Sequence, residues 1–283
     1  MKKVLVFALA VGISAIALGF PMETNGHWVH AYPPKSQAAS NQAGSGSNLT
    51  YQGGDILNAA KVRPIFWGSY WSKGTGASEA STMILFYEQF GTNSHYGVIT
   101  QYYDTTTGST RDIGLSTLLS SASGAYFDSS NPSSAKVSDA MVQAEVNKCI
   151  TATGFDNETI YEVFIDPSHY SSSGGSQSCG GHHLAYCAYH GSYTSGANTV
   201  KYSIEPYPSC SGCHWTGFTT LNDAQHFACH ETREAVTDPV NAWWDTTTGY
   251  EADDKCAWSP APFTDGGYGY QYEWSNAVSG CVQ

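Results

Sequence analysis

Positive charge is scarce in this chain. Lys and Arg number 12 of 283 residues against 24 Asp and Glu, a formal net charge of −12. A surface so poor in cations offers neither the phosphate contacts of a nucleic-acid binder nor a foothold on anionic lipid, so neither partner class is expected. Charge of either sign is sparse, 13% of residues against about 25% in ordinary domains; Ser, Thr, Gly and Tyr stand in its place. Beyond residue 18 no apolar run is long enough to cross a bilayer, which predicts no membrane span in the mature protein. There is no G-x-S-x-G elbow, P-loop or dinucleotide fingerprint, so serine-hydrolase, nucleotide-phosphate and nicotinamide chemistry lack their sequence signals. Cysteine is absent from the first 148 residues.

What is present begins with an export pattern. Lys2 and Lys3 precede the apolar run Val4–Leu18, and Ala17 and Gly19 supply the small residues of a cleavage site, predicting a signal peptide over 1–19 and a secreted product. Loss of the two lysines would take the charge to −14. Residues 20–50 are dominated by Ser, Gly, Ala, Gln and Asn, with little to bury against the cost of ordering, and read as a flexible leader or pro-segment. Residues 51–283 fit a single globular domain, expected to be a monomer. The eight cysteines, Cys149, Cys179, Cys187, Cys210, Cys213, Cys229, Cys256 and Cys281, are even in number, so disulfides without a free thiol are expected, in an open connectivity. A metal cluster of Cys179, Cys210 and Cys213 is the less favoured alternative, and Cys229 is expected to staple the helix on which it lies.

Periodicity gives a coarse element map. Val62–Trp67, Tyr96–Tyr103, Ile160–Ile165, Leu184–Tyr189, Val200–Ile204 and Tyr268–Trp274 read as strands from their β-branched and aromatic content. Met83, Phe86, Tyr87 and Phe90 share one helical face that Gly91 ends, and Val142, Val146, Cys149 and Ile150 share another that Ser138 caps. A last helix is expected from Thr220, with Asp223 at capping-box spacing, to a stop before Pro239. The mixture predicts an α+β fold: a mixed β-sheet, backing helices and a late motif-bearing helix, disulfide-stapled.

That helix carries His230-Glu231-Thr232-Arg233-Glu234. Positions i and i+4 share a helix face, so His230 and Glu234 can converge on one divalent cation, and Glu231 is placed to act as general base toward a metal-bound water. The layout matches the H-E-x-x-H of zinc peptidases with glutamate as the second ligand. Glu251, in the acidic run Glu251-Ala-Asp-Asp254, is the expected third ligand, leaving a fourth position for water. His190 is held in reserve. His226 extends the stripe at i−4, but a helix-interface hydrogen bond explains it more simply. The bland alternative for the whole motif is a solvated polar face on which Arg233 and Glu234 meet water. The tryptophans and tyrosines are read as core rather than as a sugar-stacking surface.

Several segments together resemble the phosphate-induced protein (EXORDIUM-like) family, closest to its microbial secreted members, over essentially all of 51–283. They are Tyr51-Gln-Gly-Gly, Pro64-Ile-Phe-Trp67-Gly68, Cys187-Ala-Tyr-His190, Pro206-Tyr-Pro-Ser-Cys210, His230-Glu231-x-x-Glu234-Ala235, Thr237-Asp238-Pro239, Asn241-Ala-Trp243, Glu251-x-x-Asp254-x-Cys256 and Glu273-Trp274-Ser275-Asn276. The resemblance implies an extracellular location, with cell-wall growth signalling in plant members and no established enzymatic activity; His226 falls outside the family pattern. The strand–helix–strand run ahead of the motif helix is also similar to the zincin order. Two functional expectations follow. One is a secreted zinc-dependent hydrolase, a peptidase with one zinc per chain acting on a peptide or cell-wall-associated substrate. The other is a non-catalytic extracellular binding or signalling protein in which the same residues hold a structural metal or a polar network.

Overall fold

A computed structural model describes residues 22–24, 27–38 and 47–283; the expected signal peptide lies outside the described residues. The fold is α+β. Seven strands form the main sheet: β1 (Met22–Thr24), β2 (His27–Tyr32), β3 (Lys61–Trp67), β4 (Tyr126–Asp128), β5 (Thr159–Ile165), β6 (Ala188–Ser195) and β7 (Asn198–Glu205). Their order is β1-β2-β6-β7-β5-β3-β4. The β7, β5, β3 and β4 neighbours run parallel, whereas β1, β2, β6 and β7 pair antiparallel.

Alternation along the strands sorts side chains into two layers. Ile65, Trp67, Tyr161, Val163, Tyr202 and Ile204 face one side, where they pack with Val142, Val146 and Cys149 of helix α2 (Asp139–Thr153). Val62, Phe66, Ile160 and Phe164 face the other, against helix α1 (Gly74–Phe90) and helix α3 (Thr220–Thr237). Strand β5 is buried at every position, as a parallel strand covered on both faces must be.

The helix ends follow local chemistry. Ser138 caps α2 by accepting from the Met141 N–H. Thr219, one residue earlier than expected, caps α3 in a reciprocal box with Asn222 rather than Asp223. Asp223 is instead buried, accepting from His214 Nδ1 and the Trp215 N–H. The α3 helix stops at Thr237, two residues before Pro239, as expected.

Five expectations need correction. The flexibility expected of 20–50 does not hold for His27–Tyr32, which pairs with β6 and buries Val29, Ala31 and Tyr32. Tyr96–Tyr103 is largely helical turn, because the Asn93 side chain accepts from the His95 and Tyr96 N–H groups and starts a helix. The strand expected from Leu184 begins only at Ala188. Tyr268–Trp274 divides into two short strands, Tyr268–Tyr270 and Glu273–Ser275, each in its own hairpin. Finally, the disulfides number three, Cys179–Cys210, Cys187–Cys213 and Cys256–Cys281. Cys149 and Cys229 are free and buried on opposite faces of the sheet, which prevents their pairing, so Cys229 staples nothing. The sulfurs of Cys179, Cys210 and Cys213 are close together but are consumed in two of these bonds. Among the described residues no helix is long and apolar enough to cross a membrane.

Candidate metal centre

The register across the sheet places one polar rung under α3. His30 of β2 is paired with His190 of β6, His190 with Ser203 of β7, and Ser203 with Glu162 of β5. All four are on the face that α3 covers. From α3, Thr232 Oγ1 donates to Glu162 Oε1 at 2.7 Å, and Tyr87 OH of α1 donates to Glu162 Oε2. Glu231, one residue earlier on the helix, meets the other end of the rung: its Oε2 lies 3.0 Å from His190 Nδ1.

Around that contact the donors converge. His230 Nε2 lies 2.9 Å from Glu234 Oε2, His190 Nδ1 lies 3.7 Å from the same oxygen, and His190 Nε2 lies 3.5 Å from Glu251 Oε2. Ligands bonded at about 2.0–2.1 Å in a tetrahedron stand roughly 3.3 Å apart, so these separations are compatible with a metal shell. The atoms form two triads, His230-Glu231-Glu234 and His190-Glu234-Glu251, each within 4.8 Å, with Glu234 common to both. Despite the close approaches, His190 Nε2, both ring nitrogens of His230, Glu234 Oε2 and both Glu251 oxygens lack a hydrogen-bond partner. Buried donors and acceptors are normally paired. Close, buried nitrogen and oxygen atoms without hydrogen-bond partners fit a bound cation.

Electrostatics point the same way. Burial, then the neighbouring carboxylates Asp254 and Glu251, pushes the Glu234 carboxyl well above its ordinary range. Glu231 is raised similarly, by burial and then by Glu205 and Asp254. His230 is pushed well below the usual imidazole range by burial and by the nearby His190, so it is neutral, the form that ligates metal. Glu251 goes the other way: burial opposes its charge, but His30 and His190 hold it below the usual carboxylate range. A divalent cation would relieve carboxylates crowded in this way.

The surrounding shell fixes the donors. The Asp254 N–H donates to Glu234 Oε1 at 2.8 Å, from a short turn anchored by the Cys256–Cys281 bond. Arg233 does not meet water; its guanidinium is buried between Asp253 and Glu273, with Nε 2.7 Å from Glu273 Oε2. The solvated-face alternative therefore fails, since every residue of α3 from Gln225 to Thr237 is buried.

Glu234 thus meets His230 and Glu231 in one triad and Glu251 with the reserve residue His190 in the other; the expected ligands His230 and Glu251 share neither triad. His226 belongs to neither: its Nε2 is 2.8 Å from Tyr32 OH, in an aromatic interface with Trp258. His182 and His183 are exposed. Sequence reasoning missed His30, whose Nδ1 lies 2.9 Å from Glu251 Oε2 and whose ring stacks on His190 with centroids 5.3 Å apart. Partial burial disfavours charge on His30, yet Glu251 raises it to about 9. The alternating run Val29-His30-Ala31-Tyr32 was the available strand signal.

No family model matches this chain, and neither a curated protein nor a solved structure matches it.

Proposed function

We propose that the chain is an exported zinc-dependent hydrolase, a peptidase of zincin-like layout within an EXORDIUM-like family, with the metal held by His230, Glu234 and His190 or Glu251. The single observation behind this reading is the set of buried, unpartnered nitrogen and carboxylate atoms around Glu234. Two imidazoles with carboxylates are a donor set suited to zinc. When bound, the cation would acidify a water and polarise a scissile carbonyl.

The chain's own residues supply the remaining chemistry. Glu231 is the general base: hydrolysis adds water across an amide, and Glu231 takes the proton from the attacking oxygen and returns it to the departing amine. His190 Nδ1, 3.0 Å from its Oε2, orients that carboxylate. Glu205 nearby contributes to the raised affinity of Glu231 for a proton, which suits a base that must also act as an acid. The Asp254 N–H holds Glu234 in place.

A second reading, a structural metal in a non-catalytic extracellular protein, is favoured by one observation: the ligand side chains and Glu231 are at most 2% exposed. The paired test is metal content and hydrolysis of a broad peptide library, wild type against Glu231→Gln. Retained metal with lost hydrolysis supports the peptidase; a metal-loaded wild type that cleaves nothing from acid to neutral pH leaves the structural reading.

A further inference from the structure

The parallel strands β5 and β7 end side by side at Ile165 and Glu205. Beyond those carboxyl ends, the place where open α/β sheets bind ligands, a narrow pocket opens between helices α1 and α3. It measures about 320 Å³ with its mouth included. Trp71, Phe164, Met83 of α1, and Leu221 and Ala224 of α3 make its lining largely apolar. It is distinct from the candidate metal centre: Ala224 precedes Glu231 by seven residues on α3, about 10 Å along the helix.

Two polar atoms on lining residues have no hydrogen-bond partner among the described residues: Trp71 Nε1 and Glu205 Oε2, each on a residue only 4% exposed. Both residues flank Phe164. The Trp71 ring meets it edge-on with centroids 6.4 Å apart, and Glu205 is its neighbour in the parallel register of β7 and β5. The second Glu205 oxygen is engaged, accepting from Ser203 Oγ at 2.8 Å. Glu79, the other carboxylate of the lining, is engaged too: it accepts from the Tyr70 and Tyr207 hydroxyls at 2.8 and 2.9 Å. Burial, then the neighbouring Glu162, raises the Glu205 carboxyl well above its ordinary range, which suits a neutral ligand. Buried donors and acceptors are normally paired, so these two atoms mark where a ligand's polar group would sit.

Such a ligand is thin and apolar, and carries one group that both accepts from an indole N–H and bonds a carboxyl oxygen. A hydroxyl does both, and a flat ring packs well on the aromatic faces and edges of Trp71 and Phe164. We propose that the pocket between α1 and α3 binds a phenolic ring, hydroxyl first, with that hydroxyl accepting from Trp71 Nε1 and bonded to Glu205 Oε2. The ring belongs to a free small phenol or to a tyrosine side chain of a peptide, which share this chemistry. Binding here requires no metal, so the pocket stands or fails apart from the hydrolase reading.

The test uses the full chain with its tryptophans labelled with nitrogen-15, and follows the Trp71 indole N–H by nuclear magnetic resonance, identified by its loss in Trp71→Phe. Titrations with p-cresol, toluene and N-acetyl-tyrosine amide are run separately. The expected result is a saturable shift of the Trp71 signal with p-cresol, bound tighter than toluene by about tenfold or more, because toluene leaves both polar atoms unpaired. Trp71→Phe keeps a ring in the wall and Glu205→Met keeps the side-chain length; each should lower that preference by about threefold or more, read from the ligand signals, while the remaining indole signals report the fold. N-acetyl-tyrosine amide binding as tightly as p-cresol assigns the pocket to a peptide side chain, and p-cresol binding alone assigns it to a free phenol. Equal binding of p-cresol and toluene, a preference unchanged in both variants, or no saturable shift with any of the three overturns the proposal and leaves the two atoms to water.

Discussion

His190 and Glu231, 41 residues apart in sequence, meet with Nδ1 and Oε2 separated by 3.0 Å. The contact bridges the antiparallel side of the sheet and the motif helix, and it places the expected general base against a residue that can itself ligate. Because Glu231 is held by His190, Glu231→Gln keeps the shape and one acceptor while removing the base. Metal content should stay unchanged while kcat falls by about 10²–10⁴-fold. Equal losses of metal and activity would instead make Glu231 a ligand.

Glu234 belongs to both donor triads. Glu234→Ala should therefore abolish stoichiometric metal binding, whereas His190→Ala and Glu251→Ala each leave His230, Glu234 and the other of the two alternative donors, and should weaken affinity by about 10–100-fold, the scale of losing a supporting interaction. Competition titration against a chromophoric chelator measures all three. Glu234→Ala binding as tightly as wild type would refute the shared-ligand arrangement.

Cys149 and Cys229 are buried thiols, raised by burial to about 11 and about 12. Native protein should take up no iodoacetamide, and protein unfolded without reductant should take up two equivalents per chain. Rapid labelling of the native protein would contradict their burial, and none after unfolding would show that the two sulfurs are bonded.

Arg233 is buried against Asp253 and Glu273. Arg233→Ala leaves two carboxylates without their cation and should destabilise the fold by about 3–5 kcal/mol. Denaturant unfolding checks this; a loss below 1 kcal/mol, well short of that, would mean that other groups compensate.

Asp245 gives a signed pH dependence. Burial works against its charge, but Lys255 Nζ at 2.7 Å and bonds from the Thr247 N–H and Ser47 hydroxyl hold it down to about 2. Its unfolded value is about 3.9. A depressed folded value contributes stability that is present above the unfolded value and is lost as pH falls through the folded one. The stability difference between wild type and Asp245→Asn should therefore be constant above about pH 5 and shrink between roughly pH 4 and 2. A difference that grows on acidification would contradict the assignment.

Much of the architecture was legible because it is written in local periodicity. The α2 and α3 helices and strands β3, β5 and β7 follow from apolar spacing and caps that act within a few residues. The i, i+4 relation of His230 and Glu234 is likewise local, so their convergence could be read directly. His190 and Glu251 reach the same point only through sheet register and a disulfide-anchored turn, which spacing does not encode. His30 was hidden for a different reason: its six-residue strand carries Trp28, Val29 and Tyr32 but is followed by a polar low-complexity stretch, and its place beside β6 is set by pairing that spacing does not encode. The free thiols were misjudged because parity says nothing about which face of a sheet a cysteine occupies.

The account stands or falls on the cation. Purified full chain, dialysed against metal-free buffer and analysed by inductively coupled plasma mass spectrometry, should carry about one zinc per chain, as expected for three protein ligands completed by water. The Glu234→Ala chain, prepared identically, should carry none. Wild-type protein that is folded, holds no metal and takes up none when offered zinc would contradict the central claim and reduce the cluster to a buried polar network.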